Sequence, residues 1–178
     1  MTLRDIGERA VSFEAQNQIT TTGTWGGATS PPPFIASFVE VEVDKLTGEV
    51  KVLDYLSVVD CGTPINPALA RVQVEGGIAQ GIGLALTEEI TIDNKGKLLQ
   101  DSLMQYKIPS REDLGTNIDV VFSYSNEPTG PFGAKSIGEV VINTASPAIA
   151  DAIYNATNTR MRSLPMTSEK IFRKMYLK

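Results

Sequence analysis

The stretch GPFGAKSIGEV, residues 130–140, places one carboxylate, Glu139, and one ammonium, Lys135, among three glycines. Ile137, Val140, Val141 and Ile142 give Glu139 apolar neighbours, and Gly138 removes bulk beside it. A carboxylate buried in such a place holds a proton more tightly than one in water, which suits a general base near neutral pH. Lys135 is close enough in sequence to oppose that effect. The alternative is a surface turn on which Glu139 is one more solvated glutamate. The chain has no histidine and a single cysteine, Cys61. Histidine bases and histidine metal sites are therefore excluded, as are an internal disulfide and cysteine-clustered zinc or iron–sulfur sites. Catalysis here has to rest on carboxylate, lysine, tyrosine, Cys61 or a cofactor.

A second segment bears on the same question. NPALARVQVEGGIAQGIGLALTEE opens with Asn66 and Pro67, an asparagine cap followed by proline in the first turn of a helix. Four glycines, Gly76, Gly77, Gly81 and Gly83, then fall inside the helix, each costing about 1 kcal/mol relative to alanine. Gln73 and Gln80 are seven residues apart, nearly coincide in azimuth, and lie among these glycines. Val74, Ile78, Ala79, Ile82, Ala85 and Leu86 take the other side. Leu84 and Glu75 depart from the pattern, one among the glycines and one toward the apolar side. Bare backbone carrying two amides admits either a tightly packed neighbour or a ligand. The helical wheel leaves both open.

The elements that must position these residues are legible from periodicity. Residues 20–33, TTTGTWGGATSPPP, read as a loop. SFVEVEVD alternates Ser37, Val39, Val41 and Val43 against Phe38, Glu40, Glu42 and Asp44, the pattern of a half-buried antiparallel strand. KLTGEV turns at Gly48, and VKVLDYLSVVD returns as its partner. Residues 88–92 and 98–106 flank the turn DNKGK as a second expected hairpin, and 118–125 forms a further strand. Two helices close the chain, one starting near Ser146–Pro147 and one capped by Thr167 or Ser168. The expectation is an α+β fold of antiparallel strands packed with helices, forming a single domain over 1–178.

The chain has 178 residues, 42% of them hydrophobic and 21% charged, with a formal net charge of −5. That is a globular composition whose charge argues against nucleic acid or anionic lipid as partner. No apolar run approaches ~18 residues, so no membrane span is expected. MTLRDIGERA lacks the apolar region of a signal peptide, and a cytoplasmic protein is expected.

Three segments in order, SVVDCGTPINPALARVQVEGGIAQGIGLALTEE, then SLMQYKIPS, then GPFGAKSIGE followed by SPAIADAIYNAT, resemble the C-terminal part of the molybdenum hydroxylases. This is the xanthine dehydrogenase and aldehyde oxidase family, and the resemblance is to its molybdopterin-binding large subunit, from about residue 20 to about residue 165. The resemblance implies that Glu139 matches the base that takes a proton from the metal's hydroxide ligand. In that family the oxygen then attacks an electron-poor carbon of a small-molecule substrate, and hydride passes to a sulfido ligand. It also implies that Gln73 contacts the pterin cofactor, that Gln80, Gly76 and Gly77 on the same helix are cofactor-binding with it, and that Lys135, near the active site, is a cofactor-binding residue too. After Glu139 this sequence reads Val140-Val141-Ile142, where the family commonly has Pro-Pro-Leu.

The family's large subunit is several times longer. The resemblance therefore implies a cofactor shared with the remainder of the molybdopterin-binding subunit, and iron–sulfur and flavin (FAD) subunits elsewhere. Such a chain, as a fragment or a separate subunit, is expected to be inactive alone and to self-associate when isolated. A non-catalytic assembly domain that keeps the fold without cofactor is the second reading.

Overall fold

The computed structural model describes residues 2–11, 20–24, 26 and 29–177. A first helix, α1 (Leu3–Val11), buries none of its residues. The loop expected over 20–33 has no regular structure at its described positions; residues 25, 27 and 28 lie outside them.

Strands β1 (Phe34–Val43) and β2 (Val50–Asp60) form the antiparallel hairpin that the alternation predicts. Their register runs from Phe34 opposite Asp60 to Val43 opposite Val50, with an irregularity between Glu40 and Val41. Ser37, Val39, Val41 and Val43 are half-buried, and Phe38, Glu40 and Glu42 point to solvent. Gly48 bends the connection at φ +77°, where a Cβ would lie 2.2 Å from the Ser168 carbonyl oxygen.

After β2 the chain enters helix α2 (Pro67–Leu86). Asn66 caps it as expected: its Oδ1 accepts from the Leu69 amide at 3.1 Å, and Pro67 stands in the first turn. Strand β3 (Asn117–Phe122) then returns beside β2, giving the order β1-β2-β3. It is shorter than the 118–125 expected, and it runs parallel to β2, not antiparallel. A long connection that includes α2 is what allows this, since parallel neighbours need a crossover.

The second expected hairpin shrinks to one bridge, Ile92 with Leu98. The Gln100 amide oxygen accepts from the Thr91 backbone at 2.7 Å, as a strand partner would. Ile90, Ile92, Leu103 and Met104 are exposed, so no buried face holds two strands together there.

Helices α3 (Val140–Asn143), α4 (Ala145–Thr157) and α5 (Ser168–Tyr176) complete the fold. The α4 helix begins at Ala145, one residue before the expected Ser146–Pro147 start, and Thr167 caps α5 by accepting from the Lys170 amide. The core joins Val52, Tyr55 and Val59 of β2 to Val74, Ile78, Ile82 and Ala85 of α2, and to Val141, Ala145, Ile149 and Ile153 of α3 and α4. A hydroxyl chain crosses it. Ser37 Oγ lies 3.0 Å from Ser57 Oγ and 2.7 Å from Thr144 Oγ1, which fastens the sheet to the α3–α4 corner. The fold is therefore α+β, with one antiparallel and one parallel strand pair. Among the described residues no helix is long and apolar enough to cross a membrane.

Candidate functional site

Helix α2 divides its four glycines between two uses. At Gly77 a Cβ would lie 1.9 Å from Val141 Cγ2, and at Gly81 it would lie 2.3 Å from Ala145 Cβ. At Gly83 it would meet Glu88 Oε1 at 1.9 Å. These three glycines make room for neighbouring protein. Gly77 was expected to face the cofactor; Val141 fills that space instead. Gly76 differs, because nothing lies within 4 Å of the position its Cβ would take.

Gln73, Gly76 and Gln80 are all exposed and share one strip of the helix, bordered by Leu69 and Val72 at 67% and 64% exposure. This strip is the bare, amide-carrying face foreseen from the sequence, narrowed to one glycine. The two residues that departed from the wheel have places too. Glu75 pairs with Arg71 at 2.6 Å along the helix, and Leu84 is partly exposed.

Gln73 joins this strip to the glycine-framed segment, because its Nε2 donates to the Gly138 carbonyl at 3.1 Å. The next residue is Glu139, which stands at the start of α3 and is exposed. The apolar burial expected around Glu139 is thus not supplied by these residues: Val141 turns into the core while Glu139 faces outward.

Lys135 points elsewhere. Its side chain is only 8% exposed, and its Nζ lies 2.7 Å from Asp60 Oδ2 at the end of β2. The ammonium also sits 5.2 Å from the centre of the Phe34 ring. Asp60 Oδ1 accepts from Ser125 Oγ at 2.6 Å and from the Gly62 amide at 2.9 Å. The Lys135 hydrogen bond, followed by that of Ser125, holds the Asp60 carboxyl down at about 2. Cys61 beside it is buried, and burial pushes its thiol up, away from the reactive thiolate.

Sequence reasoning did not assign Asp60 a role. The available signal was Lys135 itself, a cation in an apolar, glycine-rich segment that needs a counter-charge.

A cavity of about 450 Å³ gathers Gln73, Lys135 and Gly138 with Cys61, Thr63 and Asn66. A larger one of about 800 Å³ lies between the start of β2, the end of α2 and residues 107–116, and it includes none of the predicted site residues. The smaller one adjoins the Gln73–Gly138 hydrogen bond, while Gly76, Gln80 and Glu139 lie outside its lining.

A sequence model described as the molybdopterin cofactor-binding domain matches residues 1–115. The xanthine dehydrogenase molybdenum-binding subunit of Escherichia coli O157:H7 is 35% identical over 99% of this chain and 24% of that protein. This chain belongs to the molybdenum hydroxylase family. A second relative, "Probable hypoxanthine oxidase XdhD" of Escherichia coli K12, is 36% identical over 94% of this chain and 18% of its own length. Among solved structures, the aldehyde oxidoreductase of Desulfovibrio desulfuricans ATCC 27774 superposes with a TM-score of 0.75 at 34% identity. That match covers 80% of this chain and 15% of that one. The chain therefore spans between 18% and 24% of the length of these two relatives.

A molybdenum hydroxylase must hold a pterin, a flat heterocycle edged with hydrogen-bond donors and acceptors. The exposed Gln73 and Gln80 amides offer both kinds of group, and the open backbone at Gly76 lets a flat ligand lie close. These residues fit one side of such a group.

Proposed function

We propose that this chain, as a single domain, forms one wall of the molybdopterin site of a xanthine dehydrogenase-like molybdenum hydroxylase, and that Glu139 is the proton acceptor in that site. The observation that carries this reading is the Gln73–Gly138 hydrogen bond, which sets the bare amide strip of α2 directly beside Glu139. Gln73, Gln80 and the backbone at Gly76 would hold the cofactor. Lys135 ties the segment to the end of β2, its charge already matched by Asp60. When bound, the molybdenum cofactor supplies the two-electron chemistry by which an electron-poor carbon of a heterocycle or aldehyde is hydroxylated with oxygen from water.

Glu139 takes up a proton on a carboxylate oxygen and is oriented for this by the start of α3. It is exposed in this chain, so the walls that exclude water from it have to come from the remainder of the molybdopterin-binding subunit. Iron–sulfur and flavin subunits complete the electron path. Alone, the chain is inactive.

Glu139→Gln tests the role in the assembled enzyme. The amide keeps the size of the side chain but cannot act as base, so the rate should fall by about 10²–10⁴ with molybdenum content unchanged. Activity within a few-fold of wild type at equal molybdenum loading would remove Glu139 from the mechanism.

The packing of Gly77, Gly81 and Gly83 favours a second reading, in which α2 is a scaffold of a cofactor-free assembly domain. Gln73→Ala separates the two, since only the cofactor reading predicts loss of molybdenum from the assembled enzyme.

A further inference from the structure

Two segments far apart in the chain, residues 61–63 and 133–135, meet shortly before the chain reaches Glu139. The Thr63 amide donates to the Gly133 carbonyl at 2.8 Å, and the Lys135 amide donates to the Cys61 carbonyl at 2.7 Å. Gly62 bridges to Ala134 where they meet. There is no room for a side chain on Gly62, whose Cβ would lie 2.2 Å from the Gly133 oxygen. One end of the segment that leads to Glu139 is therefore clasped to the end of β2. The other end is held at Gly138 by Gln73.

The side chains at the clasp concentrate on one group. Asp60 Oδ2 holds the Lys135 ammonium, while its Oδ1 holds Ser125, just beyond β3, and the Gly62 amide. Lys135 is nearly buried and Asp60 is 22% exposed. A buried ammonium stripped of its counter-ion is strongly unfavourable, so Lys135 cannot keep this position without Asp60. Only three residues lie between Lys135 and Glu139, and a small displacement of a reacting group is costly in rate.

We infer that Asp60 is a positioning residue for Glu139, acting through Lys135 to fix the segment between the β2 clasp and the Gln73 anchor. This rests on the reading of Glu139 as proton acceptor.

The test uses Asp60→Asn, Lys135→Met and the double variant, each in the assembled enzyme. Asn retains an acceptor for Ser125 and Gly62 but leaves Lys135 without a counter-charge. For Asp60→Asn we expect kcat to fall about 10- to 100-fold, with KM within about threefold and molybdenum content unchanged. Amide exchange should quicken at residues 134–138 and not in the α4 core. The double variant removes both charges and should recover kcat to within about fivefold of wild type, because the buried cation is gone.

Unaltered exchange at 134–138 in Asp60→Asn would overturn the inference. So would a double variant as slow as Asp60→Asn, since the defect would then not act through Lys135. Failure of the underlying reading looks different: Glu139→Gln would remain active while exchange at 134–138 still quickened in Asp60→Asn. If Asp60→Asn fails to assemble, assembly of the double variant shows that the unmatched Lys135 ammonium is the cause, and failure of both overturns the inference.

Discussion

The Asp60 carboxyl titrates at about 2 in place of the ordinary 3.8 because Lys135 and then Ser125 hold its ionised form. Between those two values the unfolded chain binds a proton that the folded chain does not. Stability from this group is therefore complete above about pH 3.8 and is lost as pH falls toward 2. We expect the urea midpoint to drop between pH 4.5 and 2.5, and to drop less steeply in Asp60→Asn. Equal slopes in the two proteins would show that other carboxylates carry the acid sensitivity. At this scale the sequence made Glu139 stand out through its glycines and apolar neighbours. It could not show that Glu139 is exposed, because a residue's neighbours in sequence need not surround its side chain. Nor could it show the partner of Lys135, which lies 75 residues away.

Along α2, adjacent glycines should respond oppositely to the same substitution. Gly76→Ala meets open space and gains helix propensity, so the isolated chain should become more stable by about 0.5–1 kcal/mol. Gly77→Ala drives a methyl into Val141 and should cost about 1–3 kcal/mol. Urea unfolding of the two variants measures both signs. In the assembled enzyme the order reverses in meaning, since the more stable Gly76→Ala should retain less molybdenum by crowding the bare strip.

The start of α2 was readable because an Asn-Pro cap is a local signal, as was the bend at Gly48. The direction of β3 was not, because strand sense is decided by the path of the connection and not by alternation. The failed hairpin at 88–106 has a related cause. Its apolar residues suit strands, but no buried surface receives them.

Taken whole, the molecule leaves many large apolar side chains in water. Leu69, Val72 and Ile65 line one end of α2, and Met104 reaches 96% exposure in the segment after the shortened hairpin. Isolated chains should associate through such surfaces. Sedimentation at increasing concentration should show growing oligomers, and a constant monomer mass would contradict this. The composition did not reveal it, since 42% hydrophobic residues is ordinary and only the fold shows where they lie.

The glycine seats of α2 also impose an order of events during synthesis. Val141 and Ala145, which fill the space at Gly77 and Gly81, each emerge sixty-four residues later. Until then α2 carries Gly77 and Gly81 without the side chains that pack on them and stays marginal on the ribosome. A nascent chain halted near residue 130 should show the β1–β2 hairpin with little protection in α2, and release of twenty further residues should switch that protection on.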